Sequence, residues 1–128
     1  MRSELNTERR ELYDALLNIN VAKRCAIQLQ NLMEHCKYST FKIDCEPQQI
    51  KDCDMVIASI DILAEQLAAL ADKAREEKIT LCIMSPSLDR QRDEACRTIV
   101  AAHPCTSVDN RGYLLLFNNY LQKQTFRL

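Results

Sequence analysis

Glycine is almost missing from this chain: Gly112 is the only one in 128 residues, beside three prolines and no tryptophan. Tight hairpins and phosphate-cradling loops draw on glycine, so its scarcity argues against a β-rich or nucleotide-binding domain and toward helices. No glycine-rich phosphate loop, H-E-x-x-H or G-x-S-x-G occurs, which removes the common signatures of P-loop, dinucleotide, zinc-protease and serine-hydrolase chemistry. A basic excess is also missing, with 17 Lys and Arg against 18 Asp and Glu. Nucleic-acid binders ordinarily carry such an excess to neutralise phosphates. No apolar run reaches membrane-spanning length, because Asp61 and Glu65 interrupt the best stretch, MVIASIDILAEQLAALA. Residues 1–12, MRSELNTERREL, are charged and helical in character, unlike a secretory or mitochondrial leader.

Cysteine, by contrast, is plentiful. The seven thiols at 25, 36, 45, 53, 82, 96 and 105 are odd in number and never spaced C-x-x-C. That pattern suits a reducing cytoplasm, with the thiols free and serving as small apolar residues. His35 and Cys36 with Cys45 and Cys53 form the best metal-ligand set by residue type. Their gaps are longer than those of structural zinc sites, so free thiols are the expectation and no metal or cofactor is assigned. His103-Pro104-Cys105 raises a thiol nucleophile beside a base, but the intervening proline turns the two side chains apart. Cys45 and Cys105 are the candidates for a redox role. The acidic pairs Asp52/Asp54 and Glu76/Glu77 fit solvated charged faces. No catalytic residue is assigned, and the chain is expected not to be an enzyme.

The apolar pattern is helical over much of the length. Positions 12, 16, 19, 22, 26, 29, 33 and 36 are apolar at steps of three and four, which predicts one long helix over about 4–36. Pro47 suits a first helical turn. Positions 50, 53, 57, 60, 63, 67, 70 and 74 then repeat the spacing, predicting a second long helix over about 47–77. Two such helices form an antiparallel hairpin in the simplest reading. Met55, Ile62 and Ala69 recur every seven residues on the other side of the second helix, and are the candidate partner-facing residues.

EKITLCIMSP, 77–86, breaks the helical phase, because continuing the helix would turn Ile79 and Ile83 outward. With period two, Ile79, Leu81 and Ile83 share one face, so 79–84 reads locally as a strand. Ser85 and Pro86 then suit the start of a helix over about 86–103, which Pro104 ends. The remainder is either a loop and a last helix over 113–123, or a hairpin of 106–108 and 113–117. In the hairpin, Gly112 would supply the positive φ of the turn.

The composition tips the expectation to a mainly α single domain over 1–128, with the hairpin in 1–78 and a smaller portion in 79–128 packed on it. The alternative is an α+β domain with a small sheet of 79–84, 106–108 and 113–117. The functional expectation is a cytosolic protein–protein interaction module, an adaptor, regulator or assembly subunit. It would work by helix–helix packing of coiled-coil type, as a homodimer forming a helical bundle. A nucleic-acid-associated regulator contacting its target through 86–128, and a cysteine-dependent enzyme, are the alternatives.

Overall fold

In the computed structural model, which describes residues 4–118 and 125–127, the chain divides into two compact units, Met1–Phe41 and Lys42–Leu128. The first contains helices α1 (Glu11–Asn18) and α2 (Lys23–Cys36). The single helix expected over 4–36 is broken at Asn20, whose φ is 65°, and the Val21 N–H turns back to the Leu16 carbonyl at 3.0 Å. Asparagine is one of the few residues that tolerates this left-handed geometry. Away from the break the apolar stripe survives: Leu12, Leu16, Ala26, Leu29 and Met33 are buried as α1 packs on α2, whereas Ile19 and Ala22 at the break are exposed.

The start of α1 is capped from a distance. Arg10 offers no side-chain cap. Instead the fully buried Gln30 accepts the N–H groups of Leu12 and Tyr13 on its Oε1, at 2.9 and 3.0 Å. These donors lie in the first turn, where no intrahelical partner exists. Asn31 ties the preceding segment down, accepting the Asn6 N–H and donating to the Glu4 carbonyl.

The second unit is an α+β fold around a mixed sheet. Its elements are β1 (Phe41–Ile43), a single 3-10 turn (Pro47–Gln49), β2 (Met55–Ala58), α3 (Ala64–Glu77), β3 (Thr80–Met84), α4 (Arg90–Ala102), β4 (Ser107–Asp109), β5 (Tyr113–Leu116) and β6 (Thr125–Arg127). The strands lie in the order β1-β2-β3-β5-β4-β6. β2 and β3 are parallel, with α3 as the crossover between them. β5 runs antiparallel to both β3 and β4, and β6 is parallel to β4.

This overturns the mainly α expectation, and with it the helical bundle and the coiled coil. Only the second half of the predicted 47–77 helix, α3, is helical. The first half is a 3-10 turn, a loop and strand β2, because Met-Val-Ile-Ala is a run of four apolar residues that are all buried. A strand buried on both faces shows no alternation, so its apolar positions also matched a helical template. The predicted helix over 113–123 is strand β5 from Tyr113 to Leu116, and residues 119–123 lie outside the described part. The helix expected over 86–103 begins later, at Arg90, with Asp89 as N-cap accepting the Arg92 N–H at 2.8 Å. The sheet expected as the alternative, 79–84 with 106–108 and 113–117, matches β3, β4 and β5 to within a residue or two and extends further to β2, β1 and β6.

The glycine argument failed for a physical reason. Asn20, Lys37, Asp44, Asp52, Lys78, Ser85 and Arg111 all take positive φ, while Gly112 does not. Non-glycine residues thus supply the left-handed positions, Lys37 and Lys78 among them as the caps ending α2 and α3. In the β4–β5 turn the positive φ falls on Arg111. Asn110 Oδ1 stabilises that turn by accepting the N–H groups of Gly112 and Tyr113.

Helices α3 and α4 cover one sheet face. Leu67, Leu70 and Ala74 of α3, with Cys96 and Ile99 of α4, form one core with Val56, Ala58, Leu81, Ile83, Leu114 and Leu116. The alternate residues of the same strands, Met55, Ile57, Cys82, Met84, Tyr113 and Leu115, are buried as well.

Candidate functional site

Parallel pairing of β2 with β3 brings their carboxyl ends, and the loops leading into α3 and α4, to the same edge of the sheet. Sites in α/β sheets form at such edges, where loops diverge from paired strands. Here one side chain holds both loops. Arg92, in the first turn of α4 and only 2% exposed, donates from Nη1 to the Ile62 carbonyl at 2.6 Å and from Nη2 to the Ser59 carbonyl at 3.0 Å. Its Nε reaches the Met84 and Ser85 carbonyls, both at 3.1 Å, and Nη2 also donates to Met84 at 2.9 Å. Arginine suits this position because its planar fork carries five donors. Burial pulls its pKa below the usual arginine value, opposed by the charges of Cys96, Asp89 and Asp44. The guanidinium is a cation throughout the physiological range.

Asp44 locks the same end from the other side. Its carboxylate accepts the Ser59 N–H at 2.7 Å and the Ser59 hydroxyl. That hydroxyl in turn accepts the Asp61 N–H at 3.1 Å. A chain of hydrogen bonds therefore runs from Asp44 through Ser59 to Arg92 and the end of β3. Every member is satisfied, so the network rigidifies the backbone there.

On these fixed loops stand three large apolar side chains that are not buried. Ile60 is 54% exposed, Leu63 56% and Leu88 55%. Single exposed apolar residues are ordinary, but three on two loops gripped by one arginine mark a surface. The exposed acids Asp61, Glu65 and Asp89 lie within two residues of them in the chain. Arg90 of α4 is turned to Glu94 at 3.2 Å. These loops thus carry exposed apolar and acidic side chains side by side in the chain.

The structure does not bring the partner-facing residues expected from the sequence onto one helix face. Met55 is fully buried in β2, Ile62 is half-buried against the core in the loop before α3, and Ala69 is exposed on α3. Ile62 comes nearest to the site, through its carbonyl. The periodicity instead counted Ile60 and Leu63 in the buried stripe of a helix, and the helix expected over 86–103 included Leu88. A strand ending at Ala58 frees the first two, and a helix starting only at Arg90 frees Leu88. Arg92 carried no signal in the sequence beyond its place three residues after Asp89.

The thiols are distributed without a common centre. Burial pushes the pKa of Cys25, Cys36, Cys45 and Cys53 up, partly offset at Cys45 and Cys53 by the Lys42 charge. Cys96 is pushed furthest, to about 11, by burial first and then by Asp109 and Asp93, with Arg92 opposing. Raised values leave these groups as thiols, the less nucleophilic form, at neutral pH. Among the described residues no group of three or more His, Cys, Asp or Glu is arranged to hold a metal ion. His103, buried at the end of α4, places Nε2 2.8 Å from the Phe117 carbonyl and holds the return strand. The arginines of α4 are all engaged: Arg90 with Glu94, Arg97 with Asp93 at 2.9 Å, and Arg92 with backbone carbonyls. They offer little unopposed charge to a phosphate backbone.

No described helix is long and apolar enough to cross a membrane. The chain matches no family model, no curated protein and no solved structure.

Proposed function

We propose that this chain is a protein-interaction module, an adaptor or assembly subunit. Its contact surface is the loop edge formed by Ile60, Leu63 and Leu88. The observation carrying this reading is the combination of exposed apolar side chains with an immobilised backbone beneath them, held by Arg92. A surface rigid before binding spends little conformational entropy on association. Desolvating three large apolar side chains supplies the driving force, at roughly 25 cal/mol per Å² buried. The neighbouring acids Asp61, Glu65 and Asp89 select the occupant: a protein segment whose apolar residues are flanked by lysine or arginine. Its seven cysteines, all free thiols, suit a reducing cytoplasm as the place of action.

Selection of a random displayed peptide library against the intact chain tests the reading. The expected binders carry apolar residues between basic ones, bind more weakly as salt is raised, and lose binding to an Ile60→Ser, Leu88→Ser double variant that keeps its melting temperature. Binders without that pattern, or indifferent to the double substitution, would overturn it.

A further inference from the structure

Strand β4 reverses the pattern expected of a covered sheet. Ser107 pairs with Leu116 and Asp109 with Leu114, so both polar residues share the face on which those leucines join the core under α4. Val108 lies on the opposite face, since successive strand residues alternate. A carboxylate on a covered face loses solvation. Asp109 also supports the β4–β5 turn, its Oδ1 accepting the Arg111 N–H at 2.9 Å. An asparagine does that equally well, so the turn does not require the charge. Departures of this kind from apolar patterning belong to functional sites.

Between that face and α4 opens a cleft of about 260 Å³. Asp93, Cys96, Arg97 and Val100, spaced at threes and fours along one side of the helix, form one wall, and Asp109 and Leu114 stand on the other. Two carboxylates against one guanidinium leave the lining one net negative charge. Arg97 holds Asp93 at 2.9 Å, with most of its own side chain in solvent. Cys96 remains a neutral thiol, its pKa pushed to about 11 by burial first, with Arg92 opposing and Asp109 and Asp93 adding. An apolar cavity of about 150 Å³ accepts benzene, and pockets for larger organic ligands begin at about 300 Å³. This volume therefore suits one ring with a short arm.

We propose that this cleft is a binding site for a small organic cation, a primary ammonium group on a single apolar ring. The ring lies between Val100 and Leu114, and the ammonium meets the Asp109 carboxylate. A charge-assisted hydrogen bond of this kind is stronger than a neutral one. The apolar walls add burial that a bare cation cannot use. The site is independent of the loop edge carrying Ile60, Leu63 and Leu88, and either assignment stands without the other.

Titration of the isotopically labelled full chain with benzylamine at neutral pH, followed by backbone amide NMR, tests it. Saturable shifts are expected for residues within 93–101 and 107–114. Benzyl alcohol keeps the ring without the charge, and methylammonium keeps the charge without the ring. Each should bind about tenfold more weakly or worse, and benzoate should not bind. Asp109→Asn keeps the turn acceptor and removes the charge. It should weaken benzylamine binding by about tenfold while the melting temperature holds. Glu76→Gln, which removes an equal charge from α3 outside the lining, should leave binding unchanged. Absence of saturable shifts with benzylamine, or binding of either neutral or ringless analogue as tight as its own, would overturn the assignment. So would unchanged binding by a folded Asp109→Asn variant, or an equal loss from Glu76→Gln.

Discussion

The Nη2 of Arg92 donates to the Ser59 carbonyl at 3.0 Å, joining helix α4 to the end of strand β2 across 33 positions of chain. The same guanidinium closes on Ile62, Met84 and Ser85, so one residue fixes the exits of two neighbouring parallel strands. Removing it leaves several carbonyls short of a donor in a place water reaches poorly. Arg92→Met is expected to cost about 3 kcal/mol or more, since each buried group left unsatisfied costs about 1–3 kcal/mol. Arg92→Lys should recover less than half, because an ammonium cannot span the fork. Urea unfolding of the three proteins measures this, and a loss below about 1 kcal/mol for the methionine variant would sink the account.

The exposed apolar residues should behave unlike the core ones. Leu63→Ala and Leu88→Ser should each change stability by less than about 0.5 kcal/mol, the range for surface positions. Leu67→Ala, at a fully buried position four residues from Leu63, should cost about 2–5 kcal/mol. Denaturation midpoints decide it; a large loss at Leu63 would mean that its side chain supports the fold.

The left-handed caps offer a gain. Lys37 and Lys78 end their helices at φ 60° and 59°, a conformation that costs a residue with a Cβ about 1 kcal/mol. Both side chains are exposed. Lys78→Gly should therefore stabilise the chain by a few tenths to about 1 kcal/mol, less the extra chain entropy that glycine brings to the unfolded state. A raised melting temperature is the expected reading, and a fall would show that the lysine side chain does more than end the helix.

Stability should decline in alkali. The Cys96 thiol ionises near its ordinary value of 9.0 when unfolded but at about 11 when folded. Between those values the folded state binds more protons, so this contribution is fully present below about pH 9 and is lost as pH rises through about 11. Cys25, Cys36, Cys45 and Cys53, also raised by burial, act in the same direction. Unfolding free energies at pH 8 and pH 10 should show the decline, and Cys96→Ala should make it shallower. An unchanged slope in that variant would place the effect elsewhere.

The polar details were the least legible part of the sequence. Gln30 caps a helix 17 and 18 positions away, and Asp44 holds a serine 15 positions on. No local pattern announces either, because the partners meet only after the chain folds back. The apolar positions were more legible, yet their meaning depended on the element carrying them. Ile57 was correctly assigned to the interior, but in a strand rather than a helix. Ile60 and Leu63 were assigned to the same interior and emerge exposed. The phase break at 77–86 was readable, since Lys78 ends α3 and Thr80–Met84 is β3.

By itself the sequence determined the ends near Lys78 and Pro104 and the lack of a phosphate loop, and it offered 79–84 as a strand in the alternative reading only. Local sterics and spacing suffice for those. Tertiary structure alone decided that 55–58 is a strand, because a short apolar run satisfies its backbone only through a neighbour, and β3 is that neighbour. It likewise decided that Arg92 faces inward and that Ile60, Leu63 and Leu88 face out. Four carbonyls converging from two loops can hold a buried cation. That convergence exists only once the parallel strands have paired.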